Sequence, residues 1–460
     1  MKISESWSDL HVGVLGLGRS GRAAARLLAR SGASVYASDS ADTAELQAQT
    51  ARLGGLSGID VELGRHDVAK LGGCDLLVVS PGIPPHTDVF NAPGVRGVPI
   101  ISEMELGYRF LDAPVIAVTG TNGKTTTTAW IGFMLEQAGV SVGVGGNIGY
   151  ALSELADADA AYDWIVVEVS SFQLHYVERF DPAIGVFLNL CPDHLDWHGG
   201  VDPYYADKAR LFDHAGPESC WVLNGEDDEV LRLAAGRSGS AGYFRVESQP
   251  STAEEGAYLT SGGMLISRQG GEEAQLVAKD ELKLMGLHNV ANALATSLAA
   301  TYASLPIEAV RDGLRDFEPL PHRLQPVADR EDVLWINDSK ATNVASTRMA
   351  IRSMDRPIVL LLGGRGKGES FATLIPDLKG RIRSIVAYGE MAAQLEAELG
   401  EATTLVREDG PFEAVVQKAS ELARPGDVVL LSPACASFDM FSDYEERGQR
   451  FAQLVNPEVS

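Results

Sequence analysis

The 460-residue sequence has few cysteines, no excess of positive charge and no long uncharged apolar run. The cysteines lie far apart and none forms a Cys-x-x-Cys pair, which predicts reduced, buried thiols. The formal net charge of −25 argues against nucleic acid or an anionic membrane surface as a partner. No stretch has the length of a membrane span, and no apolar signal segment follows the N-terminus. These absences predict a cytoplasmic protein.

The composition is that of an ordinary globular protein, with 45% hydrophobic and 22% charged residues. Strand and helix patterns alternate along the chain, which predicts α/β domains with parallel sheets. We expect an N-terminal Rossmann-like domain at residues 1–112, a central domain built on a phosphate-binding loop at residues 113–320, and a C-terminal Rossmann-like domain at residues 321–460. In the central domain we expect strands at residues 141–144, 164–169, 183–190 and 220–224 and helices at 287–303 and 306–316. In the C-terminal domain we expect strands at residues 333–337, 358–362, 384–388 and 427–431.

A phosphate-binding turn is predicted at residues 115–126, which read VIAVTGTNGKTT. The apolar residues indicate a short buried strand, the glycines permit a tight turn, and a helix begins near Thr125. This arrangement directs backbone N–H groups and a helix N-terminus at an anion, so the turn is predicted to bind ATP. Lys124 would then reach the β- and γ-phosphates, and the Thr125 hydroxyl would bind Mg²⁺. The strict pattern has a glycine where Val118 stands here.

A second glycine turn, GLGRSG at residues 16–21, lies between a strand and a helix, and Asp39 closes the following strand. This is the dinucleotide fingerprint in its usual context, and alone it would predict NAD. The motif requires only a helix N-terminus facing a phosphate and an acid facing a sugar, so a UDP-sugar fits as well. A third strand ends in SPG at residues 80–82, at the sheet edge where such ligands bind. A simple loop cap is the alternative there.

Glu168 lies in WIVVEV, residues 164–169, a strand of the type that is buried on both faces. An unpaired carboxylate is costly there, so we expect a cation such as ATP-bound Mg²⁺ to face it; a strand-end carboxylate in water is the alternative. His194 follows another strand, where a hard cation suits it better than zinc. Asn147 lies in a glycine loop that is equally compatible with a plain turn. Lys208 lies on an amphipathic stretch, where a surface position is the ordinary expectation.

Blocks of sequence in all three predicted domains resemble the Mur ligase family. They look most similar to the members that join D-glutamate to UDP-N-acetylmuramoyl-L-alanine in cytoplasmic peptidoglycan precursor synthesis. The blocks are Thr119 to Thr126, EVSSFQ from Glu168, Asp193-His194, HNxxN from His288, LPHR from Leu320, NDSKATN from Asn337 and LSPACAS from Leu431.

The resemblance implies an ATP-driven amide ligation. The alanyl carboxylate of the UDP-substrate would attack the γ-phosphate and form an acyl phosphate. The amine of D-glutamate would then displace phosphate through a tetrahedral intermediate, leaving ADP and phosphate. Both steps would depend on the positioning of the reactants and on the stabilisation of negative charge by Mg²⁺.

The resemblance also implies a role for individual residues. Lys124, His194, Lys208 and His322 would be catalytic, with Lys208 converted by CO₂ to a carbamate. Two Mg²⁺ ions would be held by Thr125, Glu168, His194 and the carbamylated Lys208. ATP would be bound by Gly120, Thr121, Asn122, Gly123, Lys124, Thr125, Thr126, Asn289, Asn292, Arg323, Asp338 and Lys340. The UDP-substrate would be bound by Gly18, Arg19, Ser20, Asp39, Ser80, Pro81, Gly82, Asn147 and His194. Glutamate would be bound by Thr342, Lys367, Ser437, Phe438 and Tyr444.

Three positions depart from the family pattern. Arg365 stands where an acid is common, and Phe438 and Tyr444 stand where some members have Leu and Phe. They concern the amino-acid pocket and leave D- and L-glutamate as alternatives. We expect a monomer whose C-terminal domain closes onto the central domain to assemble the site.

Three other functions are compatible with parts of the sequence. One is a different ligase of the superfamily, such as a folylpolyglutamate-type enzyme. Another is a nicotinamide oxidoreductase, which the first glycine turn alone suggests. The third is an inactive binding protein of the same fold, although Lys124, Glu168, His194 and Lys208 are all present.

Overall fold

The computed structural model describes residues 6–158, 160–251 and 254–456, and in these the chain forms three sheets. The chain divides into two compact units. Residues 1–279 and 291–315 form the first unit, and residues 280–290 and 316–460 form the second. The sheets fall on the expected sides of residues 112 and 320, while the boundaries themselves stay predictions. Within the described ranges no helix is both long and apolar enough to cross a membrane.

The first sheet has the strand order β3-β2-β1-β4-β5, and all its strands are parallel. The order reverses between β1 and β4, so the carboxyl ends of these two strands form the crevice where Rossmann-like sheets bind ligands. The strands are β1 (His11–Leu15), β2 (Ser34–Asp39), β3 (Ile59–Leu63), β4 (Leu76–Val79) and β5 (Ile100–Ser102). The helices are α1 (Arg19–Arg30), α2 (Ala44–Thr50), α3 (Val68–Gly72), α4 (Asp88–Asn91) and α5 (Glu103–Phe110).

The second sheet has the order β14-β13-β12-β11-β10-β9-β6-β8-β7. Its strands are parallel from β7 to β12, and β13 and β14 add an antiparallel edge. The strands are β6 (Val115–Thr119), β7 (Val142–Gly146), β8 (Trp164–Glu168), β9 (Ile184–Phe187), β10 (Cys220–Asn224), β11 (Ser240–Arg245), β12 (Gly256–Leu259), β13 (Met264–Gln269) and β14 (Glu272–Ala278). The helices are α6 (Lys124–Gln137), α7 (Leu152–Asp157), α8 (Ser171–His175), α9 (Leu195–His198), α10 (Val201–Ala209), α11 (Asp228–Ala234), α12 (Leu287–Tyr302) and α13 (Ile307–Asp316).

The third sheet has the order β15-β16-β20-β17-β18-β19. The four expected strands pair parallel as predicted, and β15, which was not predicted, adds an antiparallel edge beside β16. The strands are β15 (Gln325–Arg330), β16 (Val333–Asn337), β17 (Ile358–Gly363), β18 (Ile382–Tyr388), β19 (Leu405–Glu408) and β20 (Val428–Leu431). The helices are α14 (Val344–Arg352), α15 (Ile375–Leu378), α16 (Ala392–Leu399), α17 (Phe412–Leu422) and α18 (Tyr444–Val455).

Burial on both faces explains the long apolar runs in the central strands. In β17, Leu360 and Leu362 pack into one hydrophobic cluster, and Val359 and Leu361 pack into another on the opposite face. Successive side chains of a strand point to opposite faces, so helices must cover both sides of this sheet. The loops at the carboxyl ends of the strands remain free to carry polar side chains.

Candidate active site

The phosphate-binding turn has the predicted strand, turn and helix. Every residue of β6 is buried, and α6 begins at Lys124, one residue before the expected start. Gly123 caps the helix with a φ of 85°, a conformation that glycine adopts most easily. A Cβ atom at Gly123 would lie 2.5 Å from Asn292 Oδ1, so the asparagine amide packs directly against the turn. The turn and this predicted ATP-binding side chain thus lie together in the first unit.

The turn is held by the segment that follows β9. The backbone N–H of Asn122 donates to Asn189 Oδ1 at 2.8 Å, and Asn189 Nδ2 donates back to the Asn122 carbonyl at 3.0 Å. The Thr121 hydroxyl donates to the Cys191 carbonyl at 2.9 Å and accepts from its N–H at 3.0 Å. These contacts explain why β9 is shorter than expected, and they pre-organise the turn.

Two lysines converge on the same turn. Lys124 Nζ donates to the carbonyls of Gly120 and Thr121 at 3.0 and 2.8 Å, and Lys208 Nζ donates to the Gly120 carbonyl at 2.8 Å. Lys208 is 1% exposed, so the expectation of a surface position is wrong. Burial lowers its pKa well below the ordinary value, and the Lys124 charge lowers the pKa further. Lys208 is therefore disposed to be a neutral amine.

Glu168 is buried at the carboxyl end of β8. It is 2% exposed, which excludes the alternative of a carboxylate in water. Its Oε1 accepts from Asn147 Nδ2 at 2.9 Å, whereas Oε2 has no hydrogen-bond partner within the described chain. A buried carboxylate oxygen without a partner fits a bound cation.

His194 lies at the end of the loop that joins β9 to α9. It adopts a left-handed backbone with a φ of 52° immediately before α9, and its ring packs edge-on against Phe172 at 4.9 Å. No cluster of three or more His, Cys, Asp or Glu side chains in the described ranges could by itself hold a metal ion. Mg²⁺ commonly takes only one or two carboxylates and completes its shell with phosphate and water, so Glu168, Thr125 and His194 fit Mg²⁺ bound with ATP. The second ion and the Lys208 carbamate stay predictions.

Sequence reasoning missed a buried hydrogen-bond chain next to Lys208. Asp207 accepts from His175 Nδ1 at 2.8 Å and from His198 Nδ1 at 2.8 Å, and His198 Nε2 contacts the Ser171 hydroxyl at 2.9 Å. Burial alone would raise the pKa of Asp207, but the hydrogen bonds from both histidines outweigh it and hold the pKa below its usual value. This chain joins α10 to α8 and fixes the helix that carries Lys208. The sequence holds no signal for it, because these side chains meet only in the fold.

On the first sheet, polar side chains at the carboxyl ends of β2 and β4 hold the glycine turn. Both carboxylate oxygens of Asp39 accept backbone N–H groups, from Leu17 at 2.6 Å and from Ala41 at 2.9 Å. The Ser80 hydroxyl donates to the Gly16 carbonyl at 2.8 Å. Asp39 and Ser80 therefore shape the crevice, and direct contact with a ribose stays a prediction.

The remaining residues predicted for the UDP-substrate surround the N-terminus of α1. Gly18 caps this helix, and Arg19 and Ser20 form its first positions. Cβ atoms at Gly18 and Gly82 would meet nothing within 4 Å, which leaves open space along this edge. Pro81 lies between Ser80 and Gly82 in the loop after β4. The arrangement has an open helix N-terminus suited to a phosphate group.

In the second unit, Asp338 and Lys340 lie in the loop after β16. Asp338 is buried, where its Oδ2 accepts from the Ser432 hydroxyl at 2.8 Å and its Oδ1 accepts from the Leu324 N–H at 3.2 Å. Burial raises the pKa of Asp338 to about 7, although these hydrogen bonds oppose the rise. The Lys340 ammonium stacks over the Tyr444 ring at 3.6 Å, which brings a predicted ATP residue to a predicted glutamate residue.

His322 is buried beside the same loop. Its Nδ1 lies 2.9 Å from Asn337 Nδ2, and burial lowers the pKa of its imidazole below the ordinary value. Asn289 is buried in α12, where its side-chain amide donates to the Met285 carbonyl at 2.8 Å. Arg323 follows His322 and is half-buried.

The predicted glutamate residues lie on three loops of the second unit and, for Tyr444, at the start of α18. Lys367 Nζ donates to the Thr342 hydroxyl at 3.4 Å, so two of these residues are in contact. Ser437 is 2% exposed and Phe438 is 61% exposed. Glutamate binding by Ser437 and Phe438 therefore stays a prediction.

Arg365, which departs from the family pattern, forms an ion pair with Glu390 through two contacts of 2.7 and 3.0 Å. Its charge is therefore already matched within the chain. This pairing leaves Lys367 as the cation of the glycine loop that is in contact with Thr342.

Comparisons with known proteins agree with this geometry. Residues 10–102 match the Mur ligase MurD-like N-terminal domain, residues 118–300 match the Mur ligase middle domain, and residues 322–435 match the Mur ligase glutamate ligase domain. The chain is 42% identical over 443 residues to the UDP-N-acetylmuramoylalanine–D-glutamate ligase of Acidobacterium capsulatum, covering 96% of this chain and 95% of that protein. It is 40% identical over 447 residues to the ligase of the same name from Pelotomaculum thermopropionicum, covering 96% of each. The structure of a pseudomurein peptide ligase type C from Methanothermus fervidus matches with a TM-score of 0.60 and 19% identity, over 97% of this chain and 100% of that one. From its sequence and its three-domain α/β fold, the chain belongs to the Mur ligase family.

Proposed function

We propose that the chain is the ATP-dependent ligase that joins D-glutamate to UDP-N-acetylmuramoyl-L-alanine and forms ADP and phosphate. The relatives that are about 40% identical over nearly the whole chain carry that activity in their names. The structural observation that carries the proposal is the convergence of Lys124 and Lys208 on the Gly120 carbonyl. Two lysines and a buried carboxylate near a phosphate-binding turn suit phosphoryl transfer, whereas hydride transfer requires none of these groups.

The turn binds ATP through the backbone N–H groups that precede and begin α6. On binding, Lys124 exchanges its carbonyl partners for the β- and γ-phosphates, and Asn292 meets the adenine. Mg²⁺ bound with ATP supplies charge neutralisation on the phosphate oxygens, and Thr125, Glu168 and His194 would hold it. The alanyl carboxylate then attacks the γ-phosphorus, and ADP leaves.

The second step makes the amide bond. The neutral amine of D-glutamate attacks the acyl carbon, and its lone pair forms the C–N bond of a tetrahedral intermediate. The bond between this carbon and the phosphate oxygen then breaks, and phosphate leaves with the electron pair of that bond. The incoming amino acid must lose protons in this step. Burial lowers the pKa of His322, so its imidazole is neutral near neutral pH, and we assign it as the acceptor of one of these protons.

Lys208 completes the proposal as a carbamate. Its neutral amine would form an N–C bond with CO₂ and release a proton, and the resulting anionic carbamate would be able to hold the second Mg²⁺ through an oxygen. The reaction requires a neutral amine, which the lowered pKa of Lys208 favours. We further propose that the active form is a monomer.

The test is phosphate release from Mg-ATP with each substrate omitted in turn. We expect release only when UDP-N-acetylmuramoyl-L-alanine and D-glutamate are both present. Release that persists without the UDP-substrate would contradict the proposal. Release with a folate substrate in place of the nucleotide sugar would favour the folylpolyglutamate-type alternative.

A further inference from the structure

A buried arginine in α18 has no acidic partner. Arg447 is 0% exposed, and its guanidinium donates only to neutral groups. Nε donates to the Ser339 hydroxyl at 2.9 Å, Nη2 donates to the Ser339 carbonyl at 2.8 Å, and Nη1 and Nη2 each donate to the Cys435 carbonyl at 3.2 Å. No ion pair within residues 6–158, 160–251 and 254–456 includes Arg447.

A buried charge without a counter-ion is costly, and an apolar residue of similar volume would fill the same space at lower cost. The four hydrogen bonds that the guanidinium donates to carbonyl and hydroxyl oxygens offset part of that cost without neutralising the charge. The positive potential of Arg447 therefore remains in the surrounding loops. An anion that binds there would be stabilised by it.

The loops around Arg447 are those that carry the predicted glutamate and ATP residues. Ser339 lies between Asp338 and Lys340, and Cys435 lies two residues before Ser437. A Cβ atom at Gly364, three residues before Lys367, would lie 3.3 Å from Arg447 Nη1. The guanidinium thus joins three separate chain segments at one point.

The helix itself is tied into the same arrangement. The Ser339 hydroxyl that accepts from Arg447 donates to the Tyr444 carbonyl at 2.8 Å, one turn earlier in α18. The Tyr444 ring lies under the Lys340 ammonium at 3.6 Å. A shift of Arg447 would therefore displace Ser339, Tyr444 and the Cys435 loop together.

We infer that Arg447 is a positioning residue of the glutamate subsite. It holds the Ser339, Gly364 and Cys435 segments together, and its uncompensated charge favours the binding of a dicarboxylate amino acid. The inference rests on the proposed function, which supplies glutamate as the substrate. It adds a cation that makes no contact with the substrate but sets the potential of the pocket.

The first test is the Arg447→Met variant, compared with Arg450→Met as a matched control. Arg450 lies on the same helix, is exposed, and pairs with Glu413 on the surface. We expect Arg447→Met to raise KM for D-glutamate by about tenfold or more and KM for ATP by less than about threefold. Arg450→Met should leave both KM values unchanged. Equal KM values for D-glutamate in Arg447→Met and wild type would overturn the inference.

The Arg447→Lys variant distinguishes the effect of the positive charge from that of the guanidinium geometry. It also provides the test if Arg447→Met fails to fold. A buried lysine has a lowered pKa, so this variant loses its positive charge as the pH rises through that value. We expect KM for D-glutamate in Arg447→Lys, measured from about pH 6 to about pH 9, to rise with pH relative to wild type, whose guanidinium stays charged. A ratio of the two KM values that is independent of pH would mean a structural role alone and would overturn the inference.

Of the neighbouring groups, Asp338 titrates within this range, because its pKa is raised to about 7, and it does so in wild type and variant alike. Burial raises the pKa of Tyr388, raises that of Cys435 to about 12 and raises that of Tyr444 to about 12, so these groups stay neutral over the range. Burial lowers the pKa of His322, which stays neutral as well. The other charged groups whose fields reach this cluster are Asp439, Glu369, Lys367, Glu445 and Asp443, and they are common to wild type and variant.

The tests distinguish failure of this inference from failure of the proposed function. If the wild-type chain released no phosphate with either glutamate, the proposed function would fail first. An active wild type with an unaffected Arg447→Met variant refutes only this inference.

Discussion

Lys124 and Lys208 donate to the same carbonyl oxygen, that of Gly120, at 3.0 and 2.8 Å. Two ammonium groups around one acceptor repel each other, and the buried Lys208 is the one whose proton is more easily lost. The contact links the phosphate-binding turn to α10, more than eighty residues further along the chain. The protonation state of Lys208 therefore affects the charge at the predicted ATP-binding turn.

The first prediction concerns Lys208→Met. The folded chain binds fewer protons at Lys208 than the unfolded chain between the lowered pKa and the ordinary value of about 10.4, so wild-type stability rises with pH over that interval. The methionine variant lacks this contribution. We expect its free energy of unfolding, relative to wild type, to be most favourable near neutral pH and to lose that advantage as the pH rises. Denaturant unfolding in CO₂-free buffer measures the difference.

Lys279→Met serves as the control, because Lys279 is exposed in the same compact unit. Its difference from wild type should not change with pH. A pH-independent difference for Lys208→Met as well would show that Lys208 keeps its charge in the folded chain.

The second prediction concerns Glu168→Gln. The amide retains the shape and the contact with Asn147 but removes the charge that we assign to Mg²⁺. We expect kcat to fall by about a hundredfold or more, and the Mg²⁺ concentration for half-maximal activity to rise. Titration of phosphate release with Mg²⁺ measures both values. Glu136→Gln, an exposed site on α6, should match wild type, and a Glu168→Gln variant with wild-type Mg²⁺ dependence would remove Glu168 from the metal site.

The third prediction concerns Asp207→Asn. Asparagine keeps one acceptor oxygen but replaces the other with an NH₂ group and removes the negative charge, so its hydrogen bonds with His175 and His198 are fewer and weaker than those of the carboxylate. We expect a loss of about 1–3 kcal/mol in the free energy of unfolding at neutral pH, together with a lower kcat because Lys208 is the next residue. The pKa of Asp207 is held below its usual value, so its stabilising effect is present above about pH 4 and disappears as the pH falls through the folded-state pKa.

Unfolding at neutral and acidic pH checks this sign. Asp213→Asn, at an exposed ion pair with Arg210 just beyond α10, is the matched control. A loss of stability in Asp207→Asn that grows toward acidic pH would contradict the expected linkage.

The fourth prediction compares Gly123→Ala with Gly139→Ala. Both glycines have positive φ, 85° and 81°, so both variants carry similar backbone strain of about 1 kcal/mol. Only at Gly123 would the new methyl group collide with Asn292, since nothing lies within 4 Å of a Cβ at Gly139. We expect Gly123→Ala to raise KM for ATP by about tenfold or more, and Gly139→Ala to leave it unchanged. Equal effects on KM would assign the loss to strain instead of the Asn292 contact.

The sequence predicted the parts of the site that are local in the chain. The turn at residues 115–126 has its strand, glycines and helix in one continuous stretch, so its structure follows from spacing alone. The positions of the central strands along the chain were predicted for the same reason, because each buried strand is a short apolar run. The edge strands β11 to β14 were not predicted, since they are more polar and pair partly antiparallel.

The long-range contacts that set the protonation states of the site residues could not be predicted from sequence patterns. Spacing and periodicity predicted a surface position for Lys208, and only the family resemblance assigned it to the site. In the fold its Nζ donates to the Gly120 carbonyl, and Asp207 gains its two histidine partners from α8 and α9. Arg447 lay in a segment with no motif signal. In each case the deciding partner is distant in sequence, so spacing and periodicity could not identify it.

The most direct test of the central claim is mass spectrometry of the nucleotide product formed from UDP-N-acetylmuramoyl-L-alanine and Mg-ATP with D- or L-glutamate. The account predicts a product heavier by one glutamyl residue with D-glutamate and unchanged substrate with L-glutamate. A glutamyl product formed only with L-glutamate, or phosphate release with no change in the nucleotide sugar, would contradict it.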